Sequence, residues 1–173
     1  MASRPRHRAD RPYAAHVGEP STGDQAAARG ARLNLNGVEA RRRFAAVLVA
    51  RLATVSDTGA PHIVPIAFAL DGDRIVSAVD AKPKTTRSLR RLRNIRANPR
   101  VAVLADHYDD DWTQLWWVRA DGRAAITEDP VQMAEPLRLL ARRYAQYRDD
   151  PPAGPVISIL VERWAAWAAA PGQ

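Results

Sequence analysis

The chain contains no cysteine, and only two of its 26 lysine and arginine residues are lysine. Without cysteine it can form neither a disulfide framework nor a thiolate metal site. No apolar run approaches the roughly 20 residues that a membrane-spanning helix needs, so we expect no membrane contact and a cytoplasmic protein. At 173 residues, of which 46% are apolar, the chain is long enough for one globular domain and short for two.

Residues 1–32 have few periodically spaced apolar residues and lack the apolar core of a secretory signal. We therefore predict a disordered N-terminal extension over 1–32 and a folded domain over 33–173. The extension carries six arginines and three acidic residues, which leaves the folded domain with +4 of the total net charge of +7. A charge of this size argues only weakly for a nucleic-acid partner.

Hydrophobic patterning in the folded domain predicts six strands linked mostly by hairpins. The predicted strands are 52–56, 62–70, 74–79, 100–105, 115–125 and 156–167. Gly59 and the turn 71–73 supply the connections that tight hairpins need. Antiparallel strands with helices placed between them predict an α+β fold, a six-stranded antiparallel β-barrel with flanking helices.

Three helices are predicted between or beside these strands. The first, 38–50, would bury Val38, Phe44, Val47 and Leu48. The second, 87–96, repeats apolar residues at Leu89, Leu92 and Ile95 among arginines and stops at Asn98-Pro99. The third follows Asp129 as N-cap and buries a seam of Met133, Leu137, Leu140, Tyr144 and Tyr147, with a kink or late start at Pro136.

The two lysines, Lys82 and Lys84, lie between the third predicted strand and the arginine-rich helix and precede Thr85 and Thr86. Cationic side chains, hydroxyls and free backbone N–H groups at a helix N-terminus can act together on one phosphate-sized anion. The spacing therefore predicts an anion site. A solvated connection between strand and helix explains the same spacing, and both readings stay open on the residues alone.

Three other patterns predict less. The acidic loop 106–111 lacks the central glycine and terminal glutamate of an EF-hand, and His107 has no nearby partner ligands, so we predict no metal. The arginine-rich helix lacks interleaved aromatic residues, so we do not expect nucleic acid to bind. Trp116 and Trp117 must point to opposite faces of one strand, so at most one of them lines a given pocket.

The order of several short motifs resembles the pyridoxamine 5'-phosphate oxidase-like (PPOX class) FMN-binding split β-barrel superfamily. These motifs are Pro61-His62-Ile63-Val64-Pro65, Ser77, Lys82-Pro83-Lys84-Thr85 and Asn98-Pro99-Arg100-Val101. Residues 106–108, Asp111-Trp112 and 115–122 resemble a branch of deazaflavin coenzyme F420-dependent oxidoreductases. The resemblance extends over about 38–167, most of the folded domain.

The resemblance implies a split β-barrel that binds its cofactor at a homodimer interface. It places Lys82, Lys84, Thr85 and Thr86 on the cofactor phosphate. It places His62, Pro65, Ile66, Ser77 and Trp117 against the ring, although ordinary barrel packing also explains each of these five. Members of the superfamily often carry arginine at the position of Lys82, so this chain offers charge there without the planar fork of a guanidinium.

The activity implied is hydride transfer from reduced F420 to an unidentified small-molecule acceptor, with no proton donor or catalytic residue assignable. Arg90 and Arg93 would hold the anionic tail of F420. Three alternatives remain: an FMN-binding enzyme on the same fold, a flavin or F420 binding protein without catalysis, and a nucleic-acid-binding module. A C-terminal substrate-binding arginine motif like that of full pyridoxamine phosphate oxidases is not recognised.

Overall fold

A computed structural model describes residues 35–79 and 89–169 of the chain. The helices are α1 (Gly37–Ala46), α2 (Arg90–Ala97), α3 (Pro130–Arg143) and the short α4 (Gln146–Asp149), with a 3₁₀ turn at Trp112–Gln114. The strands are β1 (Val49–Val55), β2 (Pro61–Ala67), β3 (Ala69–Asp71), β4 (Arg74–Ala78), β5 (Arg100–His107), β6 (Trp116–Thr127) and β7 (Val156–Ala168). The predicted extension, residues 1–32, lies outside the described part, so the division of the chain at residue 33 stays a prediction.

The described strands form one sheet in the order β2-β1-β5-β6-β7-β4-β3, with neighbouring strands antiparallel. The two edge strands, β2 and β3, are consecutive in the chain and separated only by Phe68. A covalent link this short holds the two edges together, so the sheet must curl into a barrel. The predicted α+β antiparallel barrel is thereby confirmed.

The sheet has one strand more than the six predicted, because the segment 62–70 is divided at Phe68. Before Phe68 the chain pairs with β1, and after it the chain pairs with β4. The backbone N–H of Phe68 donates instead to the hydroxyl of Tyr144, at 2.9 Å. Local patterning could not reveal this break, since apolar residues continue through it on both sides.

Helix α1 ends four residues earlier than predicted, at Ala46, and β1 begins at Val49. The buried side chains of α1 are Ala40 and Phe44, which are one helical turn apart. Two residues predicted to face inward are exposed instead, Val38 at 79% and Leu48 at 60%. Val38 lies in the first turn, away from the face that Ala40 and Phe44 share, and Leu48 lies beyond the end of the helix.

Helix α3 begins at Pro130, capped by the Asp129 side chain, which accepts from the N–H of Val131 at 2.8 Å. The predicted cap is confirmed. Of the two effects predicted for Pro136, a kink or a late start, the late start is wrong because the helix begins at Pro130 and contains Pro136. Of the predicted seam, Met133, Leu140 and Tyr144 are buried. The seam covers β3 and β4 through contacts of Leu140 and Tyr144 with Ala69 and Val76.

The barrel interior is filled by alternate residues of its strands. Leu52, Val103, Val118 and Ala120 are fully buried, and the strand register aligns them across β1, β5 and β6. The residues between them face outward, where α3 covers β3, β4 and part of β7. Within the two described stretches, no helix is long and apolar enough to cross a membrane.

Candidate functional site

The directions of the strands place the ends of four strands together at one end of the barrel, which we call the α2 end. Here β1 finishes, β2 starts, β4 finishes and β5 starts, and α2 connects the last two. The predicted phosphate residues Lys82, Lys84, Thr85 and Thr86 belong to the connection between β4 and α2 but lie outside the described residues. The predicted ring residues are described, and their placement can be reported.

Val79 is the last described residue before residues 80–88, which contain Lys82 and Lys84 and which we call the lysine segment. Two backbone hydrogen bonds hold Val79 in place. Its N–H donates to the carbonyl of Pro155 at 3.0 Å, and its own carbonyl accepts from the N–H of Gly154 at 3.2 Å. A Cβ atom at Gly154 would lie only 2.5 Å from the Val79 carbonyl oxygen. Since no side chain fits there, glycine permits the close approach that holds the end of β4 against the loop before β7.

Helix α2, which follows the lysine segment in the chain, is joined to the sheet by a buried hydrogen bond. Asn94 and Thr54 are 4% and 1% exposed, and the Asn94 amide donates to the Thr54 hydroxyl at 3.0 Å. The Thr54 hydroxyl lies 3.4 Å from the His62 carbonyl oxygen, at the long limit of a hydrogen bond. Helix α2 is thus held against β1 by this hydrogen bond as well as by the buried side chains of Leu92 and Ile95.

The helix begins at Arg90 rather than at Arg87 as predicted. Leu89 is its N-cap and provides no side-chain hydrogen bond to the first turn. The N–H of Leu92 in this turn donates to the Leu89 carbonyl at 3.0 Å. The predicted phosphate residues before Leu89 lie outside the described residues, so the anion site stays a prediction.

His62 lies on β2 at the α2 end, with its side chain on the same inner face as Thr54, its cross-strand partner. Partial burial lowers the pKa of His62 below its usual 6.5, and the positive charges of Arg90 and then Arg91 lower it further. His62 is therefore mainly neutral at pH 7, and its imidazole can either donate or accept a hydrogen bond. Arg90 and Arg91 make the surroundings of His62 electropositive.

Ser77 and Ile66 also face the barrel interior, at 3% and 5% exposure. Ser77 is the next-to-last residue of β4 and therefore lies at the α2 end, like His62. Ile66 is near the other end of β2 and belongs to the main hydrophobic core. A ring that contacted His62 and Ser77 would lie at the mouth of the barrel, since the interior is filled.

Pro65 and Trp117 occupy the opposite, outer face of the sheet. Pro65 is exposed on β2, and Trp117 is half-buried on β6. Two strands, β1 and β5, separate β2 from β6, so these residues are roughly three strand spacings, about 14 Å, apart. The five predicted ring residues therefore do not form one cluster within a single chain. Pro65 and Trp117 are therefore too far apart in one chain to contact a single ring.

The two tryptophans behave as predicted from strand geometry. Trp116 packs against the interior core, with the His107 ring stacked 6.4 Å away and the Arg43 guanidinium 5.8 Å from its ring centre. Trp117 faces outward beside its cross-strand neighbour Trp167. Trp116 therefore has a structural role, and of these two tryptophans Trp117 is the one available to a partner or ligand.

The outer face of β2, β1, β5 and β6, which we call the open face, has no helix packed on it among the described elements. It combines exposed apolar side chains with ion pairs internal to the sheet. Ile63 and Val49 are 62% and 52% exposed. The ion pairs join Arg51 to Asp106 and Arg119 to Asp121. Such a mixture is typical of a protein interface, in which apolar contacts are bordered by neutralised charges.

Sequence reasoning missed two residues that organise this region, Asn94 and Thr54. Thr54 follows Leu52 on the inner face of β1, so a buried hydroxyl in need of a partner could have been inferred. Asn94 lies among arginines on a helix and offers no such signal. Among the described residues there is no group of three or more His, Asp or Glu side chains placed to hold a metal ion.

Residues 38–168 match the protein family described as pyridoxamine 5'-phosphate oxidase. The match includes every strand in the order given above and spans the segment between β4 and α2. A comparison with curated proteins found no match.

Several solved structures share the fold at low sequence identity. A conserved hypothetical protein from Mycobacterium tuberculosis is 21% identical with a TM-score of 0.62, covering 78% of this chain and 85% of that one. An FAD-binding protein from Mesorhizobium loti is 23% identical with a TM-score of 0.61, covering 79% and 96%. An FAD-binding protein from Mycobacterium smegmatis is 20% identical with a TM-score of 0.51, covering 76% and 93%.

Proposed function

The chain belongs to the pyridoxamine 5'-phosphate oxidase family, and from this premise we propose that it is an oxidoreductase that uses coenzyme F420. Its acceptor would be a small molecule that accepts a hydride. The observation that carries the proposal is the arrangement at the α2 end of the barrel. There the segment that contains Lys82 and Lys84 joins β4 to α2, and the positive charges of Arg90 and Arg91 act on His62.

The described residues fit a flavin-like group with a phosphate. Positive charge near His62 suits an anion, and Lys82 and Lys84 belong to the segment of the sequence that joins β4 to α2. Neutral His62 and the hydroxyl of Ser77 offer polar contacts for ring carbonyl or N–H groups at the barrel mouth. F420 would supply hydride chemistry at C5 of its deazaflavin ring when bound. The chain would orient the ring and exclude water.

The choice between F420 and FMN depends on few residues. Segment 115–122 favours F420 through its resemblance to that branch, whereas the lysine segment suits the phosphate of either cofactor. FMN is the second candidate, and two similar structures named as FAD-binding proteins support a flavin on this fold. A single titration can separate the two candidates because both cofactors are fluorescent.

We further propose a homodimer formed through the open face. Pro65 and Trp117 are too far apart in one chain to contact one ring, whereas a twofold partner could place its β6 beside β2 of the first chain. Burial of Ile63 and Val49 would add apolar contact area. Arg51 and Asp106 already neutralise each other's charge in one chain, so the interface would not bury an unpaired charge at these residues. Each cofactor site would then use residues of both chains.

The function is tested by titrating the purified protein with F420 and with FMN and following cofactor fluorescence. Lys84→Ala should weaken F420 binding at least about tenfold, because a cation that contacts the phosphate contributes roughly 1.5–3 kcal/mol. Arg138→Ala is the matched control, since Arg138 is an exposed cation on α3, away from the α2 end. Selective binding of FMN would assign FMN to the protein instead of F420. Binding of neither cofactor would refute the proposal.

The dimer is tested separately by sedimentation of wild type and Ile63→Glu. The charge should disrupt an apolar interface and yield a monomer, whereas Val131→Glu, at a residue that is 85% exposed on α3, should leave the dimer intact. A wild-type monomer at all accessible concentrations would refute the shared site. Catalysis requires a further observation, which is turnover of an electron-poor acceptor by the reduced cofactor complex.

A further inference from the structure

Two arginines face each other at the α2 end of the open face without a carboxylate between them. Their position is six residues along β6 from Trp117, so a dimer that buries Pro65 and Trp117 can leave them at its margin. Arg100 on β5 and Arg123 on β6 are direct cross-strand partners, and both are exposed. Directly opposed residues have Cβ atoms about 4.5–5.5 Å apart, so their guanidinium groups can converge on one point. Like charges in this arrangement repel each other and destabilise the sheet.

The other arginines on the described strands are neutralised by acids, which makes this pair distinct. Arg51 pairs with Asp106 on the open face, and Asp121 on the same face pairs with Arg119 at 2.8 Å and with Arg163 of β7 at 3.6 Å. In the part of the chain that the structure describes, no carboxylate pairs with Arg100 or Arg123. The acid closest to them in register on this face, Asp121, already has two partners.

The environment of the pair is open and further positive. Leu160, the cross-strand neighbour of Arg123 on β7, is 63% exposed, so no side chain covers the pair from that side. Helix α2 ends at Ala97, shortly before Arg100, and carries the exposed residues Arg93 and Arg96. Arg96 is bound to Glu128 at 2.8 Å, and Arg93 has no acidic partner among the described residues.

We propose that Arg100 and Arg123 bind a small molecule that carries several carboxylate or phosphate groups along a chain. Two guanidinium forks can hold one oxyanion through parallel N–H···O hydrogen bonds. A lone anion would bind weakly at so exposed a site, so the ligand needs a second anionic group or an anchor elsewhere. Arg93 on α2 offers a second cation on the same side of the fold.

The anionic chain could be the oligoglutamate tail of F420, in which case this inference rests on the proposed function and deepens it. It could also be a phosphate chain unrelated to that cofactor. Both sources present the same chemistry to the arginines, so the test uses each anion without any flavin-like ring. Its failure is therefore distinguishable from failure of cofactor binding.

The experiment is calorimetric titration of the full chain at low ionic strength with tetra-γ-glutamate and, separately, with tripolyphosphate. Wild type should bind at least one of them. The variant Arg100→Gln/Arg123→Gln should bind that probe about tenfold to a hundredfold more weakly, because charge-assisted hydrogen bonds are lost. Arg138→Gln, which removes an exposed arginine from α3, should bind as wild type does.

Two single variants separate binding from folding. Arg123→Lys keeps the charge but loses the planar fork, so its affinity should lie between those of wild type and the double glutamine variant. Arg123→Glu should raise the melting temperature, since a cross-strand Arg–Glu pair replaces two like charges, while binding is lost. A more stable protein that binds less would show that the opposed arginines are kept for a ligand.

The outcomes are decisive in both directions. Binding of tetra-γ-glutamate alone assigns the site to carboxylates, and binding of tripolyphosphate alone assigns it to phosphates. The proposal is overturned if wild type binds neither probe, or if the double glutamine variant binds as tightly as wild type. A duplex oligonucleotide that bound far more tightly than either probe would also overturn it, since the ligand would then be a nucleic acid.

Discussion

The hydroxyl oxygen of Tyr144 lies 2.9 Å from the backbone nitrogen of Phe68 and 2.8 Å from the carbonyl oxygen of the same residue. It also lies 2.7 Å from the carbonyl oxygen of Leu48. The single hydroxyl proton can serve one carbonyl at a time, while the oxygen accepts from the Phe68 N–H. Tyr144 thus satisfies the buried backbone at the point where the chain passes from one edge of the sheet to the other.

Tyr144→Phe should lower the free energy of unfolding by about 1–3 kcal/mol, because it leaves the buried N–H of Phe68 without an acceptor. Urea denaturation monitored by tryptophan fluorescence measures this change. Tyr108→Phe is the matched control, since Tyr108 is 72% exposed and should change stability by less than about 0.5 kcal/mol. Equal stability of the two variants would show that the Tyr144 hydroxyl does not support the closure.

Asn94→Ala should destabilise the fold by a similar amount, about 1–3 kcal/mol, because Thr54 loses its buried partner. Thr54→Val removes the other side of the same hydrogen bond. The double variant should therefore be less destabilised than the sum of the two single changes, by about 0.5–3 kcal/mol. Strict additivity would mean that the hydrogen bond does not hold α2 to β1. Arg93→Ala, an exposed change on the same helix, serves as control.

Sequence patterns predicted the fold well where the chemistry is local. Asp129 caps α3, and Gly59 and Gly72 adopt the positive φ of tight turns, because each effect involves only neighbouring residues. The break at Phe68 was missed since its cause, Tyr144, is 76 residues away. The end of α1 was placed too late because Val47 and Leu48 continue the apolar pattern into β1.

Sequence patterns predicted only those features of the candidate site that depend on residues close together in the chain. The neighbourhood of the lysine segment follows from chain order, since β4 and α2 must flank it. Which sheet face each ring residue occupies depends on strand pairing and curvature. The separation of Pro65 from Trp117 by two intervening strands appears only when the strand order is known. The register that opposes Arg100 and Arg123 is likewise a tertiary property.

His62 should titrate below its usual value of 6.5 in the folded protein. Because the folded pKa is lower than the unfolded one, the unfolded state binds more protons in this range, so acidification below about pH 6.5 should destabilise the fold. Imidazole NMR signals across pH 4–8 measure the pKa directly.

Arg90→Gln should raise the pKa of His62 towards the usual value without restoring it, since burial is the largest cause of the lowering and Arg91 remains. Arg138→Gln should leave the titration of His62 unchanged. If the Arg90 and Arg138 variants titrate alike, then Arg90 does not act on His62, and the electropositive surroundings assigned to the site would need another source.

Gly154→Ala should disturb both stability and cofactor binding. The new Cβ would meet the Val79 carbonyl oxygen at 2.5 Å and the Val79 Cβ at 2.8 Å, so the end of β4 must shift. We expect a loss of about 1–3 kcal/mol in unfolding free energy, the typical range for an overpacked site. Because Val79 is the last described residue before the lysine segment, cofactor affinity should fall as well.

Gly37→Ala is the matched control for this substitution. There the nearest atom is the side-chain nitrogen Nη1 of Arg41 at 2.9 Å, which can move aside, and the added methyl group lies in the first turn of α1. This variant should be as stable as wild type or slightly more stable, because alanine favours a helix over glycine. If Gly154→Ala unfolds like Gly37→Ala and binds F420 or FMN like wild type, the contact between Gly154 and Val79 does not position the cofactor-binding segment. A destabilised Gly154→Ala that retains full affinity would assign the contact to folding alone.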